Sequence, residues 1–219
     1  MKLAPRYRKI RSTLRRIFFR IRKKRTRRIL IVLFCALFVI STAYRLSTEN
    51  TSMNPAAYQP LLQVIAKGES EGNYNARFGD AHNTEIQFTK MSLQEVMQWQ
   101  TEQVNAGAAS NAVGKYQIIG PTLSGLVREL NLDPKAHFDE AMQDRLARAL
   151  IDRRGAAAFA SGTLTADQFA SNLSMEWASL PTLQGPHAGQ SYYEGDGLNT
   201  AHITKDEVLA AVEQFRRSL

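Results

Sequence analysis

Apolar residues recur at helical spacing through most of the chain from Leu61 onward. Leu61, Ile65 and Glu69 lie four residues apart, as do Leu62 and Ala66, so the face that seeks a core also carries an acid at its last turn. From Gly68 to Phe88 the period breaks into Gly, Asn, Asp and short apolar pairs, which predicts a loop with a small hairpin near Glu85 to Phe88. Ser92 with Glu95 forms a capping box before Leu93, Val96, Met97 and Gln100, predicting a helix to about Val104. A Gly- and Ala-rich approach then leads to Pro121, which suits the first turn of a helix through Leu130. Asp139 and Glu140 open another, with Met142, Leu146 and Leu150 on one face. Thr165 with Gln168 caps a helix to about Leu180, and Thr204 with Glu207 caps the last one. The pattern predicts one mainly α domain over residues 61–219, with long loops and a small hairpin as its β component.

The first 60 residues follow other rules. Residues 1–28 hold 14 of the 28 Lys and Arg and no acid, so residues 29–219 carry 14 − 20 = −6 and the overall charge of +8 belongs to the tail. Ile29 to Tyr44 is uncharged. Its 16 residues at about 1.5 Å each reach roughly 24 Å, a little under a ~30 Å hydrocarbon core, and Arg27, Arg28 and Arg45 are placed to snorkel at its ends. The segment is expected to be a single-pass anchor in the inner (cytoplasmic) membrane, and the positive-inside rule leaves the basic tail in the cytoplasm and the domain on the other side. A cleaved signal peptide is the rival, with Ser41-Thr42-Ala43 as cleavage site, but a 28-residue basic region is far longer than a signal n-region. A nucleic-acid arm is the third reading, weakened by the apolar run directly after it; a basic amphipathic stretch suits an anionic membrane surface equally well. Residues 45–60, with Ser, Thr, Asn and two prolines, read as a linker. The one cysteine, Cys35, sits inside the apolar run, so the exported part holds together without disulfides.

Glu69 is the strongest candidate for chemistry. A place on the core-seeking face, the end of a helix and the nearby Glu71 each push its pKa upward. A carboxyl that keeps its proton near neutral pH can protonate a leaving oxygen, as cleavage of a glycosidic bond requires. The bland alternative is an exposed glutamate at a fraying helix end. His82, His137, His187 and His202 lack metal-ligand spacing, so no metal site is expected, and Glu194, Asp196 and Gly197 resemble a calcium loop only without its closing bidentate Glu. No G-x-S-x-G elbow, Walker loop or dinucleotide fingerprint occurs.

IAKGES at 65–70, GKYQII at 114–119 and EWASLP at 176–181, in this order and spacing, resemble the muramidases related to the phage lambda endolysin, within the wider lysozyme and lytic transglycosylase superfamily. The resemblance implies an α+β lysozyme-like fold and a peptidoglycan glycosidase with Glu69 as catalytic acid. It implies Ser70, Tyr116, Gln117 and Tyr192 or Tyr193 as substrate-binding residues, and Trp177 as a packing residue. Tyr74 and Phe78 are candidates to stack on sugars, and Trp99, sharing a helix with Val96, reads as core. Two chemistries stay open. A hydrolase would need a second carboxylate, with Asp80 or Glu85 in the following loop as candidates; a lytic transglycosylase would need Glu69 alone, with the sugar's own C6 hydroxyl as nucleophile. The second is favoured here, because no carboxylate pairs with Glu69 except Glu71, two residues on and pointed elsewhere. Neither route calls for a cofactor. The expected partners are peptidoglycan strands, the membrane through residues 29–44 and envelope machinery. The rival from another class is a non-catalytic wall-binding protein on the same fold.

Overall fold

The computed structural model describes residues Met53–Leu219. The basic tail (1–28) and the apolar segment (29–44) lie outside the described residues, and among those described no helix is long and apolar enough to cross a membrane.

The domain begins earlier than expected. Asn54 caps a 3-10 turn over Pro55–Tyr58, in which Ala57 and Tyr58 are buried, so the last part of the proposed 45–60 linker is folded structure. Helix α1 follows at Gln59–Ser70, with Pro60 in its first turn, where the missing N–H costs nothing. Leu61, Leu62, Val64, Ile65 and Ala66 are all buried, which is more than one stripe, because α1 is covered on two sides. Helices α4 (Glu140–Arg153) and α7 (Lys205–Arg217) both pack on it. Helices α2 (Leu93–Asn105) and α3 (Gly120–Glu129) form a second pair, and α6 (Ala166–Ser174) lies against α7. The rings of Phe159 and Phe169 stack at 4.8 Å, both meet Phe215, and Tyr58 meets Phe215 at 5.2 Å, so one aromatic cluster joins the first described turn to the last helix.

The capping boxes form as expected: Ser92 with Glu95, Thr165 with Gln168 and Thr204 with Glu207 each satisfy two end groups reciprocally, and Asp139 caps α4. Two features differ from the pattern. A short helix α5 (Ala156–Ala160) follows Gly155, whose φ of 105° makes the turn and which supplies no side-chain cap to advertise it. Helix α6 stops at Ser174 rather than Leu180, and residues 175–180 form turns that send the backbone N–H of Ser179 to Glu69 instead of to a helical carbonyl.

The expected hairpin near Glu85 to Phe88 is absent. Phe88–Lys90 is one 3-10 turn, and among the described residues there are only isolated bridges, including Arg77 with Asp80 and with Val113, and Val113 with Ile118. Asparagines do the work of a sheet here. Asn73 Nδ2 donates to the carbonyls of Ala81 (2.8 Å) and Asn83 (3.0 Å), buried Asn83 donates to the Ile86 carbonyl (2.8 Å), and Thr89 N donates to Asn75 Oδ1 (2.9 Å). Side-chain amides satisfy backbone groups that strands would otherwise pair.

Candidate active site

Helix α1 ends on the residue after Glu69. Glu71 takes a left-handed φ of 53° and Gly72 one of 89°, and Gly72 N closes back on the Ala66 carbonyl at 3.2 Å, a C-terminal cap that halts the helix and turns the chain away. Glu69 is thereby held at the edge of a cleft of about 750 Å³. The cleft is lined by Arg77, Phe78 and Asp80 from the asparagine-clamped loop, by Gln117 to Ile119, and by Arg154. Glu176 to Ser179, Tyr193, Leu198 and His202 complete the wall.

The residue keeps an exposed edge, but its carboxyl is enclosed. Oε1 accepts from Ser179 twice, from the hydroxyl at 2.7 Å and from the backbone N–H at 3.2 Å. Burial pushes the Glu69 pKa up, and the two Ser179 bonds and the charge of His202 pull against it without cancelling the rise. Of the causes expected from sequence, burial is the one at work; Glu71 turns its exposed carboxylate toward His82 at 3.8 Å.

The other expected site residues divide. Gln117 lines the cleft with a strained φ of 44°, its amide donating to Gly114 O at 2.9 Å. Asp80 lines it too, in an ion pair with Arg77 at 3.2 Å, whereas Glu85 is exposed and stands outside it. Ser70 does not reach the cleft. It is buried, its hydroxyl donates to Lys115 O at 2.7 Å, and its role is to tie the end of α1 to the Gly114–Gln117 turn. Tyr116 borders the cleft, but its ring is buried and its hydroxyl donates to Asp144 Oδ1 at 2.6 Å, so it braces the turn and has no free hydroxyl to offer a sugar. Of the tyrosine pair, Tyr193 lines the cleft and donates to Met175 O at 2.7 Å; Tyr192 is half exposed outside the cleft lining, its ring edge-on to that of Tyr193 at 5.1 Å. Trp177 is core, its indole N–H donating to Tyr116 O at 3.2 Å. Trp99 packs edge-on to Phe88 at 4.9 Å. Phe78 is 40% exposed at the cleft mouth, while Tyr74 is tied to Asp144 at 2.9 Å.

Sequence reasoning missed three contributors. Ser179 and His202 flank Glu69 from distant segments, and only the EWASLP block pointed to the first. Arg154 holds Glu176 at 2.7 Å and the Met175 carbonyl at 3.2 Å, and so fixes the turn on which Ser179 sits. Among the described residues no group of three or more His, Cys, Asp or Glu side chains is disposed to hold a metal ion.

A helical domain with an enclosed glutamate, its pKa raised by burial, at the wall of an open cleft has the layout of a glycosidase's general-acid site. A model of the family described as Endolysin matches residues 59–208, most of the domain, and the chain belongs to that family and is a peptidoglycan glycosidase. Among solved structures it is similar to "Lysozyme from bacteriophage lambda", at 16% identity, over 77% of this chain and 96% of that one, with a TM-score of 0.46. No curated protein matches it in sequence.

Proposed function

We propose that the protein is a lytic transglycosylase that cuts the β-1,4 bond between N-acetylmuramic acid and N-acetylglucosamine, with Glu69 serving first as acid and then as base. The observation that carries this reading is the charge pairing inside the cleft. Its lining carboxylates are Glu69, Asp80 and Glu176; Asp80 is held by Arg77 and Glu176 by Arg154, which leaves Glu69 as the one without a guanidinium partner.

In the first half-reaction the Glu69 proton passes to the glycosidic oxygen as the bond from that oxygen to C1 breaks. In the second, the resulting carboxylate takes the proton of the C6 hydroxyl of the muramic acid while O6 bonds to C1. Glu69 regains its proton, no water is consumed, and a 1,6-anhydro end results. Gln117 and Phe78 offer an amide and an apolar surface to the sugars along the cleft.

The same proposal places the domain outside the cytoplasm, held at the inner membrane by residues 29–44 behind the basic tail, where it would open glycan strands for envelope machinery. Its support is the 28-residue segment with 14 Lys and Arg and no acid, followed by 16 uncharged residues.

The test is a digest of purified peptidoglycan by the full chain in detergent, with Glu69→Gln alongside, and mass spectrometry of the products. Anhydro ends, lighter by one water than reducing ends, are the expected result, and Glu69→Gln is expected to release nothing. Reducing ends would refute transglycosylation and make Asp80, which lines the same cleft, the group that activates water.

A further inference from the structure

The two oxygens of Glu69 are not equivalent. Oε1 accepts both Ser179 bonds, whereas no protein group donates to Oε2 among the described residues. Gln100 Oε1 is the one buried side-chain oxygen or nitrogen found there without a partner, so Glu69 Oε2, also without one, is open to the cleft. The protonated oxygen of a carboxyl is the weaker acceptor, so the two donors on Oε1 favour the acid proton on Oε2.

Ser179 is itself fixed from three sides. It is 3% exposed, and its carbonyl accepts from His202 N at 2.8 Å and Ile203 N at 3.1 Å. Its side chain lies against Gly68 of α1, where an added Cβ would come within 2.5 Å of Ser179 Oγ, 2.7 Å of its Cβ and 2.9 Å of Ile203 Cγ1. Gly68, a poor residue for a helix interior, is what lets the serine approach the acid beside it.

We propose that Ser179 is the positioning residue of the catalytic acid: its two donors occupy Oε1, reserve Oε2 for the proton and aim that oxygen into the cleft, through a gap that Gly68 keeps open. This rests on Glu69 being the acid, as proposed above. The same donors stabilise the carboxylate that remains once the proton has left, so they act in both half-reactions. The other charged groups around the site are committed elsewhere. Arg77 pairs with Asp80, Arg153 with Glu129, Arg154 with Glu176, Lys67 with Glu207, and Glu71 faces His82. His202 lines the same cleft, and its ring makes no hydrogen bond to Glu69 among the described residues.

The experiment measures kcat and KM against pH for the full chain on purified sacculi, comparing wild type, Ser179→Ala, Gly68→Ala and Glu69→Gln, with thermal unfolding followed on each sample. For Ser179→Ala the expected result is an unchanged KM, a kcat about 10- to 100-fold lower, as for loss of hydrogen bonds to a charged group, and an alkaline limb displaced to higher pH. Gly68→Ala keeps the hydroxyl but displaces it, and is expected to move the same limb the same way; it decides the matter if Ser179→Ala does not fold. An unchanged kcat, or a lowered kcat with the alkaline limb in place, overturns the proposal, the second outcome being a merely structural loss. Activity retained by Glu69→Gln overturns the assignment of the acid itself.

Discussion

Ser70 Oγ donates to Lys115 O across 45 positions of sequence, at 2.7 Å, and this bond fastens the last turn of the acid-bearing helix to the turn that carries Gln117. The serine next to Glu69 thus acts on the loop opposite it rather than on substrate. Ser70→Ala leaves a part-buried carbonyl without its donor, at a cost of about 1–3 kcal/mol. We expect a lower urea midpoint and reduced turnover with the alkaline limb of the pH profile unmoved. A displaced limb would instead make Ser70 a partner of the acid.

Two glycines, one in that loop and one in the helix after it, have opposite surroundings. Gly114 has a φ of 79°, and a Cβ there would come within 2.4 Å of Gln143 Oε1 and 3.0 Å of Phe138 Cε1. Gln143 cannot yield easily, because its side chain bonds Lys115 N, Tyr74 O and Phe138 O. Gly114→Ala is therefore expected to destabilise by roughly 2 kcal/mol or more, by overpacking and by backbone strain. Gly125, inside α3, has open space around it, and Gly125→Ala is expected to stabilise by about 0.5–1 kcal/mol. Urea unfolding of the two variants checks both signs.

What the sequence disclosed follows from how local each signal is. The four-residue spacing of Leu61, Ile65 and Glu69 put the acid on the right helix face, because periodicity needs no knowledge of partners. The capping boxes at Ser92, Thr165 and Thr204 were legible for the same reason. Where α6 ends was not, since Ser179 leaves helical geometry to serve Glu69, 110 positions earlier. Gln100 and Gln143 are both fully buried and brace loops through their amides, a use that helical spacing does not encode. Ser70 and Tyr116 were matched as substrate contacts by their position in motifs, and the fold uses both to hold the cleft wall together. The choice between Tyr192 and Tyr193 depended on the twist of an irregular turn, which no period encodes.

Two buried tyrosines and a partly buried one are expected to make the fold sensitive to alkali. Burial, and then the carboxylate that accepts each hydroxyl, push up the pKa of Tyr58 (beside Asp152) and of Tyr74 and Tyr116 (both on Asp144). A folded pKa above the unfolded value near 10 means that stability is complete below about pH 10 and is lost above it, because the unfolded chain ionises where the folded one resists. The urea midpoint should therefore fall steeply above about pH 10, and Tyr116→Phe should flatten that fall. A midpoint that stays level would show that these phenols ionise freely in the fold.

Glu69 carries a stability cost of the same kind at lower pH. Its folded pKa is raised from the ordinary 4.5 by burial. With the sign worked through, the group's contribution is fully present below about pH 4.5 and is lost as pH rises through the folded value, so at neutral pH an enclosed carboxylate weighs against the fold. In Glu69→Gln the amide carbonyl can still accept the Ser179 bonds, but the buried charge is gone. We expect this variant to be inactive and also more stable than wild type at neutral pH, with the difference vanishing in acid. Urea midpoints of the two proteins across that range test it. A Glu69→Gln protein weaker than wild type at neutral pH would mean that the Ser179 bonds to the carboxylate outweigh its burial, and that the acid holds its proton less firmly than its enclosure implies.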